Sequence, residues 1–379
     1  MPYKVLVCGM GAAGLSSAYW LKHYGHDVTL VEKSPTLRTG GYKIDIRGVA
    51  NQVLAEMGLR DQLFAARTRY AHRHFVDAAG NIINTLSGDE MGFRIDGDFE
   101  VFRGELSQQL YQHYCNCFND VSCRFNDTVT KIRQGQDEVE VTFEQGDVQR
   151  FDIVVGADGL HSSVRQLAFM PREYRLVGLD IYLSIFSLPN FLKVSESEWV
   201  LTDNGNEVLY YSASQTDDAR VAFVFSSQED VSGKDKLAQF DLIRRVFAAA
   251  QWEVPRFFEY MADAEDFYFD AITQVYMRYY SKGRVVLVGD AGYCASPMSG
   301  QGTSLALVGG YVLAQELAQY PGNPIQAFSR YHERMEPFVK ANQALATEDL
   351  GQFLEGLTEA ETLAQRIQHV SEAANAIVL

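Results

Sequence analysis

The chain has 379 residues, a formal net charge of -16 and five cysteines. That length exceeds what a single core usually takes, so two domains are expected, and the acidity argues against nucleic acid or an anionic membrane surface as partner. Cys8, Cys115, Cys117, Cys123 and Cys294 form no disulfide framework and no metal-ligand spacing beside histidines, which suits a reducing, cytoplasmic setting and predicts no metal site. The chain opens with the apolar run Val5–Cys8, then Gly9-Met10-Gly11-Ala12-Ala13-Gly14 and a helical pattern through Leu15, Ala18 and Leu21. A second apolar run, Val28–Val31, ends on Glu32 and Lys33. A glycine turn alone could serve only a tight connection. Strand, turn, helix, strand and carboxylate in sequence predict a dinucleotide site. Gly9 allows the turn, Gly11 lets a pyrophosphate approach the backbone, Gly14 lets helix and strand pack closely, and Glu32 stands where a ribose ligand belongs.

Arg38-Thr39-Gly40-Gly41 leads into a short alternating strand around Asp45, and Val53, Leu54, Met57, Leu59 and Leu63 suggest helical spacing. Residues 72–102 alternate as an antiparallel insertion with a turn at Ala78–Asn81. Arg103 stands where a strand hands over to a helix through Leu110. Residues 120–150 alternate as two or three polar-faced strands, and Ile153–Val155 runs into Gly156-Ala157-Asp158-Gly159 with a serine-capped helix behind it. From about 170 to 275 the strands are rich in aromatics, including Tyr182, Tyr210 and Phe223, and predict an antiparallel sheet with one face packed and one open to an organic ligand. A helix is expected over Leu242–Ala249. Val285–Val288 ends in Gly289-Asp290. The loop through Pro297, Met298, Gly300 and Gly302 then opens a small-residue helix at Thr303, whose N-terminus could stabilise negative charge on a ring oxygen. Leu354, Leu357, Leu363, Ile367 and Val370 recur at helical spacing near the end, and no stretch is long and apolar enough to span a bilayer.

These three signals, in this order, resemble the class A flavoprotein aromatic hydroxylases of the p-hydroxybenzoate hydroxylase fold, over roughly residues 3–345. The resemblance implies an α/β fold: a Rossmann-type FAD-binding domain (1–71, 98–170 and 276–320), an inserted antiparallel-sheet substrate domain (72–97 and 171–275), and C-terminal helices (321–379) bridging the two. It places Gly9, Gly11, Ala12, Ala13 and Gly14 at the FAD pyrophosphate, and Glu32 with Lys33 at the adenosine ribose. Arg103 falls on the family's second FAD-contacting helix, Asp158 and Gly159 at the pyrophosphate and NAD(P)H, Gly289 and Asp290 at the ribityl chain, and Pro297, Gly300, Gly302 and Thr303 around the ring.

Within that family the chain is similar to the tetracycline-inactivating monooxygenases. Arg38-Thr39-Gly40-Gly41 followed by Asp45 matches the segment that places an arginine near NADPH and an aspartate near FAD. What the resemblance implies is an FAD-dependent, NADPH- or NADH-driven monooxygenase, cytoplasmic and monomeric. It would transfer one oxygen from O2 through a flavin C4a-hydroperoxide to an aromatic or polycyclic substrate such as a tetracycline. No catalytic residue is expected beyond the flavin. Tyr182, Tyr210, Phe223 and Met298 are the expected substrate contacts. Three departures from the family pattern stand out: Tyr293 replaces a histidine, Ser304 an asparagine, and Gly309 an aspartate. The rival readings are another flavin-dependent oxidoreductase, halogenase- or polyprenyl-reductase-like, and a non-catalytic flavin- or drug-binding protein. The halogenase Trp-x-Trp-x-x-Ile pattern is missing, since Trp20, Trp199 and Trp252 are isolated.

Overall fold

The strand Lys4–Cys8 pairs in parallel with Asp27–Glu32 on one side and Ile153–Gly156 on the other. Ser122–Phe125 and Val285–Leu287 extend this parallel sheet, and Ser281–Lys282 closes one edge in antiparallel sense. Its strands read as unbroken apolar runs because both faces are covered. Val5 and Val7 pack under the helices Ala12–His23 and Gly302–Gln319, while Leu6 and Cys8 face Val139, Val141, Phe143 and Phe151 of a three-stranded antiparallel sheet. The structure is a computed structural model that describes residues 2–37, 40–87, 94–95, 97–213, 218–229, 231, 233–348 and 360–379.

The second layer is a seven-stranded sheet, ordered Tyr268–Met277, Tyr174–Pro189, Asp218–Ser226, Asn206–Ser212, Ser197–Asp203, His72–Val76 and Ile82–Ser87. Its pairings are antiparallel except between Ser197–Asp203 and His72–Val76. Successive residues of a strand point to opposite faces. Tyr182, Phe186, Tyr210, Phe223 and Phe225 therefore pack outward against the helices Lys236–Val246 and Val254–Met261. Ile181, Leu183, Ile185, Tyr211 and Ala222 face the other way, toward Tyr42, Phe102 and Met298. The helix expected over Leu242–Ala249 begins earlier, at Lys236, because the Asp235 carboxylate caps it by accepting the Ala238 N–H at 2.9 Å.

Helix packing explains two of the departures from the family pattern. Gly310 brings the helix Gly302–Gln319 so close to the first helix that a Cβ there would stand 2.6 Å from the Ser17 nitrogen. At Gly309 a Cβ would collide with the Tyr293 hydroxyl. That hydroxyl lies 2.8 Å from the Tyr331 hydroxyl, which in turn donates to the Leu287 carbonyl at 3.1 Å. The bulk gained at Tyr293 occupies space that Gly309 leaves free. Gly309→Ala is expected to cost roughly 1–3 kcal/mol of stability through overpacking, with part of the loss recovered by Tyr293→Phe. Denaturant unfolding of the four proteins of that cycle checks it; equal losses in both tyrosine backgrounds would refute the shared contact.

The C-terminal helices are Pro324–Glu348 and Ala360–Ala374. Gln343 donates to the Val275 carbonyl at 2.8 Å and Asn342 to the Ala373 carbonyl at 3.0 Å, so the first of these helices touches both the end of the seven-stranded sheet and the last helix. Leu354 and Leu357, part of the expected terminal pattern, lie outside the described residues. No helix among the described residues is long and apolar enough to cross a membrane.

Candidate functional site

The parallel strands deliver their carboxyl ends to one rim, where ligands of such sheets bind. After Lys4–Cys8, Gly9 adopts a φ of +100°, which favours glycine, and its N–H donates to the Val31 carbonyl at 2.8 Å. Gly11 then stands at the N-cap of the helix Ala12–His23, with no side-chain cap and no acidic residue in the first turn. The helix start therefore keeps free N–H donors and positive potential. A Cβ at Gly11 would meet nothing within 4 Å, whereas one at Gly14 would drive into the Gly9 carbonyl, whose carbon is at 2.9 Å. The turn is closed on its inner side and open on its outer side, and the open side fits an approaching pyrophosphate.

The other predicted positions gather around this rim. Glu32 accepts the Met10 N–H at 2.8 Å and the Ser34 N–H at 2.9 Å, and Lys33 beside it is exposed. Arg103 opens the helix Arg103–Cys117, its N–H donating to the Tyr42 carbonyl at 3.0 Å, with Gly41 against its side chain. Asp290 begins a short helix directly after Gly289. Burial pushes its carboxyl upward, against the Cys294 hydrogen bond and the Arg103 charge, which hold it down. Pro297–Ser299 forms a 3-10 turn, Gly300 follows where a Cβ would stand 3.8 Å from the Asp45 carboxylate, and Gly302 opens the next helix with Thr303 half-buried beside it. Ala12 and Ala13 lie in the first turn of their helix. Arg38 lies outside the described residues.

Asp158 has a different local use. Its two oxygens accept the Ser162 hydroxyl and the Val164 N–H, at 3.0 Å for the latter, so the carboxylate anchors the start of the helix Ser163–Ala168. Ser162 itself caps that helix, accepting the Arg165 N–H at 2.9 Å. Burial raises the Asp158 carboxyl and these hydrogen bonds oppose it. Gly159 follows in the left-handed region.

Between the two layers lies a cavity lined by Tyr42, Leu160, Asp290, Cys294 and Pro297 from the parallel-sheet side, and by Leu183, Tyr268, Asp270 and Ile272 from the seven-stranded sheet. Three of the four residues expected from sequence to contact a substrate do not face this cavity. Tyr182, Tyr210 and Phe223 are buried on the far face, where the Tyr182 hydroxyl donates to the Glu229 carbonyl and the Tyr210 hydroxyl lies 3.2 Å from Asn190 Oδ1. Only Met298 of that set reaches the inner face. Both faces of these strands are buried, so no polar alternation marks the inner one in the sequence. The inner set, Leu183, Ile185, Tyr211 and Ala222, is offset by one residue from the aromatics chosen.

His161 follows the Asp158–Gly159 turn and reaches Asp270, which lines this cavity, Nε2 to Oδ2 at 3.0 Å. The hydrogen bond to Asp270 raises the imidazole pKa, against burial and the Arg165 charge. A histidine raised on folding contributes stability that is fully present below its unfolded pKa of about 6.5 and lost as pH rises through its folded value. The His161 side chain is 70% exposed, so the effect is small. His161→Gln is expected to lower the melting temperature slightly near about pH 5.5 and leave it unchanged near about pH 9. A loss of the same size at both pH values would refute the ion pair.

The family is shown by comparison with known proteins. Residues 2–346 match the family profile described as FAD binding domain, and the chain belongs to that family. It is 42% identical over 343 residues to a flavin-dependent monooxygenase from an unknown prokaryotic organism, covering 90% of this chain and 87% of the other. It is 41% identical over 341 residues to a flavin-dependent monooxygenase of Legionella longbeachae serogroup 1, with the same coverage of 90% and 87%. The crystal structure of the tetracycline destructase Tet(51) superposes on it with a TM-score of 0.91 at 38% identity, covering 100% of this chain and 99% of that one. Together with the open glycine turn, these matches define an FAD-dependent monooxygenase. Among the described residues no cluster of three His, Cys, Asp or Glu side chains could hold a metal ion.

Proposed function

We propose that the chain is an NAD(P)H-driven monooxygenase that inserts one oxygen atom from O2 into an aromatic or polyketide substrate, with tetracyclines as the favoured class. The observation that carries this reading is the cavity between the rim of the parallel sheet and the inner face of the seven-stranded sheet. When bound, FAD supplies the oxygen-activating redox chemistry that no side chain offers. Gly9, Gly11 and Gly14, with the helix start at Ala12 and Ala13, hold its pyrophosphate; Glu32 and Lys33 hold the adenosine ribose. Arg103, Gly41 and Asp45 flank the cofactor, Gly289 and Asp290 take the ribityl hydroxyls, and Pro297, Gly300, Gly302 and Thr303 border the ring. Asp158 and Gly159 shape the side from which the nicotinamide approaches, and the family resemblance assigns Arg38 to the same reductant. Leu183, Ile185, Ala222 and Met298 exclude water and hold the reacting carbon close, which is the protein's share of the catalysis. In this reading, residues 1–71, 98–170 and 276–320 form the cofactor domain and residues 72–97 and 171–275 the substrate domain.

Support for tetracyclines comes from the similarity to the Tet(51) structure at 38% identity. The test is NADPH oxidation by FAD-loaded protein, with and without a tetracycline, together with oxygen uptake and product mass. A substrate-dependent rise in consumption and a product heavier by one oxygen would support the whole reading. Consumption with the tetracycline unchanged would remove only the substrate. Ligand binding with nothing consumed would favour a sequestering protein instead.

A further inference from the structure

Several cations gather where the strand Lys43–Ile46 and its partner Phe99–Phe102 meet the inner face of the seven-stranded sheet. Nearly every one has a carboxylate. Lys43 pairs with Glu198 and with Glu100 at 3.3 Å, Arg73 with Glu198 at 2.7 Å, Arg94 with Glu100 at 3.3 Å, and Arg47 with Asp45 at 2.9 Å.

Arg220 differs. It shares the inner face with Ala222, between Ser187 and Tyr211 on the neighbouring strands. Its guanidinium carbon stands 4.1 Å from the centre of the Phe102 ring, and its Nε is enclosed with no hydrogen-bond partner. Among the described residues no carboxylate pairs with it. Asp266 instead receives the Ser187 N–H at 2.9 Å and the Ser187 hydroxyl at 2.6 Å. The phenols of Tyr70 and Tyr211 both feel the Arg220 charge, so the guanidinium lies beside the apolar inner face. An arginine stays charged at any working pH, and its planar fork of donors matches the oxygens of a carboxylate or enolate. Phe102 covers it by a cation–π contact. That contact offsets part of the desolvation of the ion but satisfies none of its in-plane donors.

We propose that Arg220 selects the charge of the substrate, binding an anionic oxygen, either a carboxylate or the conjugate base of an acidic enol, at the end of the apolar inner face next to Phe102 and Tyr211. This rests on the reading of that face as the substrate site. It narrows the substrates to aromatic or polyketide compounds that carry an acidic oxygen away from the carbon to be oxidised. A phosphate of the nicotinamide reductant offers a related anion, and the experiment separates the two.

The test measures dissociation constants on FAD-loaded protein by the change in flavin absorbance, with three probes: 2-hydroxy-1-naphthoate, its neutral carboxamide, and NADP+. The proteins are wild type, Arg220→Lys and Arg220→Met, with FAD content and melting temperature confirming that each variant is folded. Wild type is expected to bind the naphthoate at least tenfold tighter than the carboxamide. Arg220→Met should erase that preference by weakening only the naphthoate, Arg220→Lys should keep part of it, and NADP+ affinity should stay within twofold throughout. If Arg220→Met does not fold, the wild-type preference and its reduction in Arg220→Lys decide. Equal affinity for the two naphthalenes, or a preference that survives in Arg220→Met, overturns the proposal while leaving the substrate face in place. A loss confined to NADP+ assigns Arg220 to the reductant and overturns it likewise. If neither naphthalene binds the wild type, and a tetracycline titrated in the same way does not bind either, this proposal and the substrate-site reading fall together.

Discussion

Gly14→Ala is expected to prevent the chain from folding around FAD, while Gly11→Ala, three residues earlier, leaves the apoprotein intact and removes the cofactor. The two glycines sit in one turn but answer to different constraints. A Cβ at Gly14 would penetrate the Gly9 carbonyl, and Gly9 is itself held by its hydrogen bond to Val31, while its neighbour Cys8 accepts the Ala157 N–H at 2.8 Å just past the adjacent strand. Backbone on both sides cannot yield without parting the first helix from the sheet, so a loss of more than about 3 kcal/mol is expected, beyond ordinary overpacking. At Gly11 the added methyl meets nothing within 4 Å of protein. Its cost appears only when a phosphate must lie against that backbone. Thermal unfolding of apoprotein, run beside FAD titration, separates the cases. Gly11→Ala should unfold like wild type yet bind FAD at least about a hundredfold more weakly, by about 2.7 kcal/mol or more. Undiminished FAD affinity in a folded Gly11→Ala protein would move the pyrophosphate away from this turn.

Glu198→Ala is expected to destabilise the protein by roughly 3–5 kcal/mol, the loss that follows when one partner of a buried ion pair is removed. Glu198 is wholly buried; one oxygen meets Lys43 and the other accepts Arg73 at 2.7 Å. Burial already pushes the Lys43 ammonium down to about 8 although Glu100 and Asp45 favour its charge, so little reserve is left when Glu198 goes. Lys43→Met alone is expected to be milder, because Glu198 keeps Arg73. In that background Glu198→Ala should cost less than in wild type. Urea unfolding of the four proteins measures the coupling. A single-variant loss under about 1 kcal/mol would show that water, and not Glu198, satisfies these cations. The expected damage extends to the cofactor side, because Lys43 starts the strand that carries Asp45 to Gly300.

The parts whose physics is local were legible along the chain. The glycine turn, the strands flanking it, the Ser162 cap and the helix opening at Gly302 each depend on residues within a few positions of one another, and each stands where the spacing predicts. Which way the aromatic strands face follows from packing alone. Tyr182 and Leu183 are adjacent and both buried, and a sheet covered on both sides hides its parity, so the pattern cannot tell that Tyr182 packs outward and Leu183 inward. Distance in the chain hid the rest. Glu198 meets Lys43 from 155 residues away, and His161 meets Asp270 from 109. Arg220 stands out because, among the described residues, each neighbouring cation has a carboxylate and Arg220 has none. Pairing across such distances is a property of packed surfaces, since which charges lie together follows from how the two sheets are laid against each other and not from any spacing along the chain.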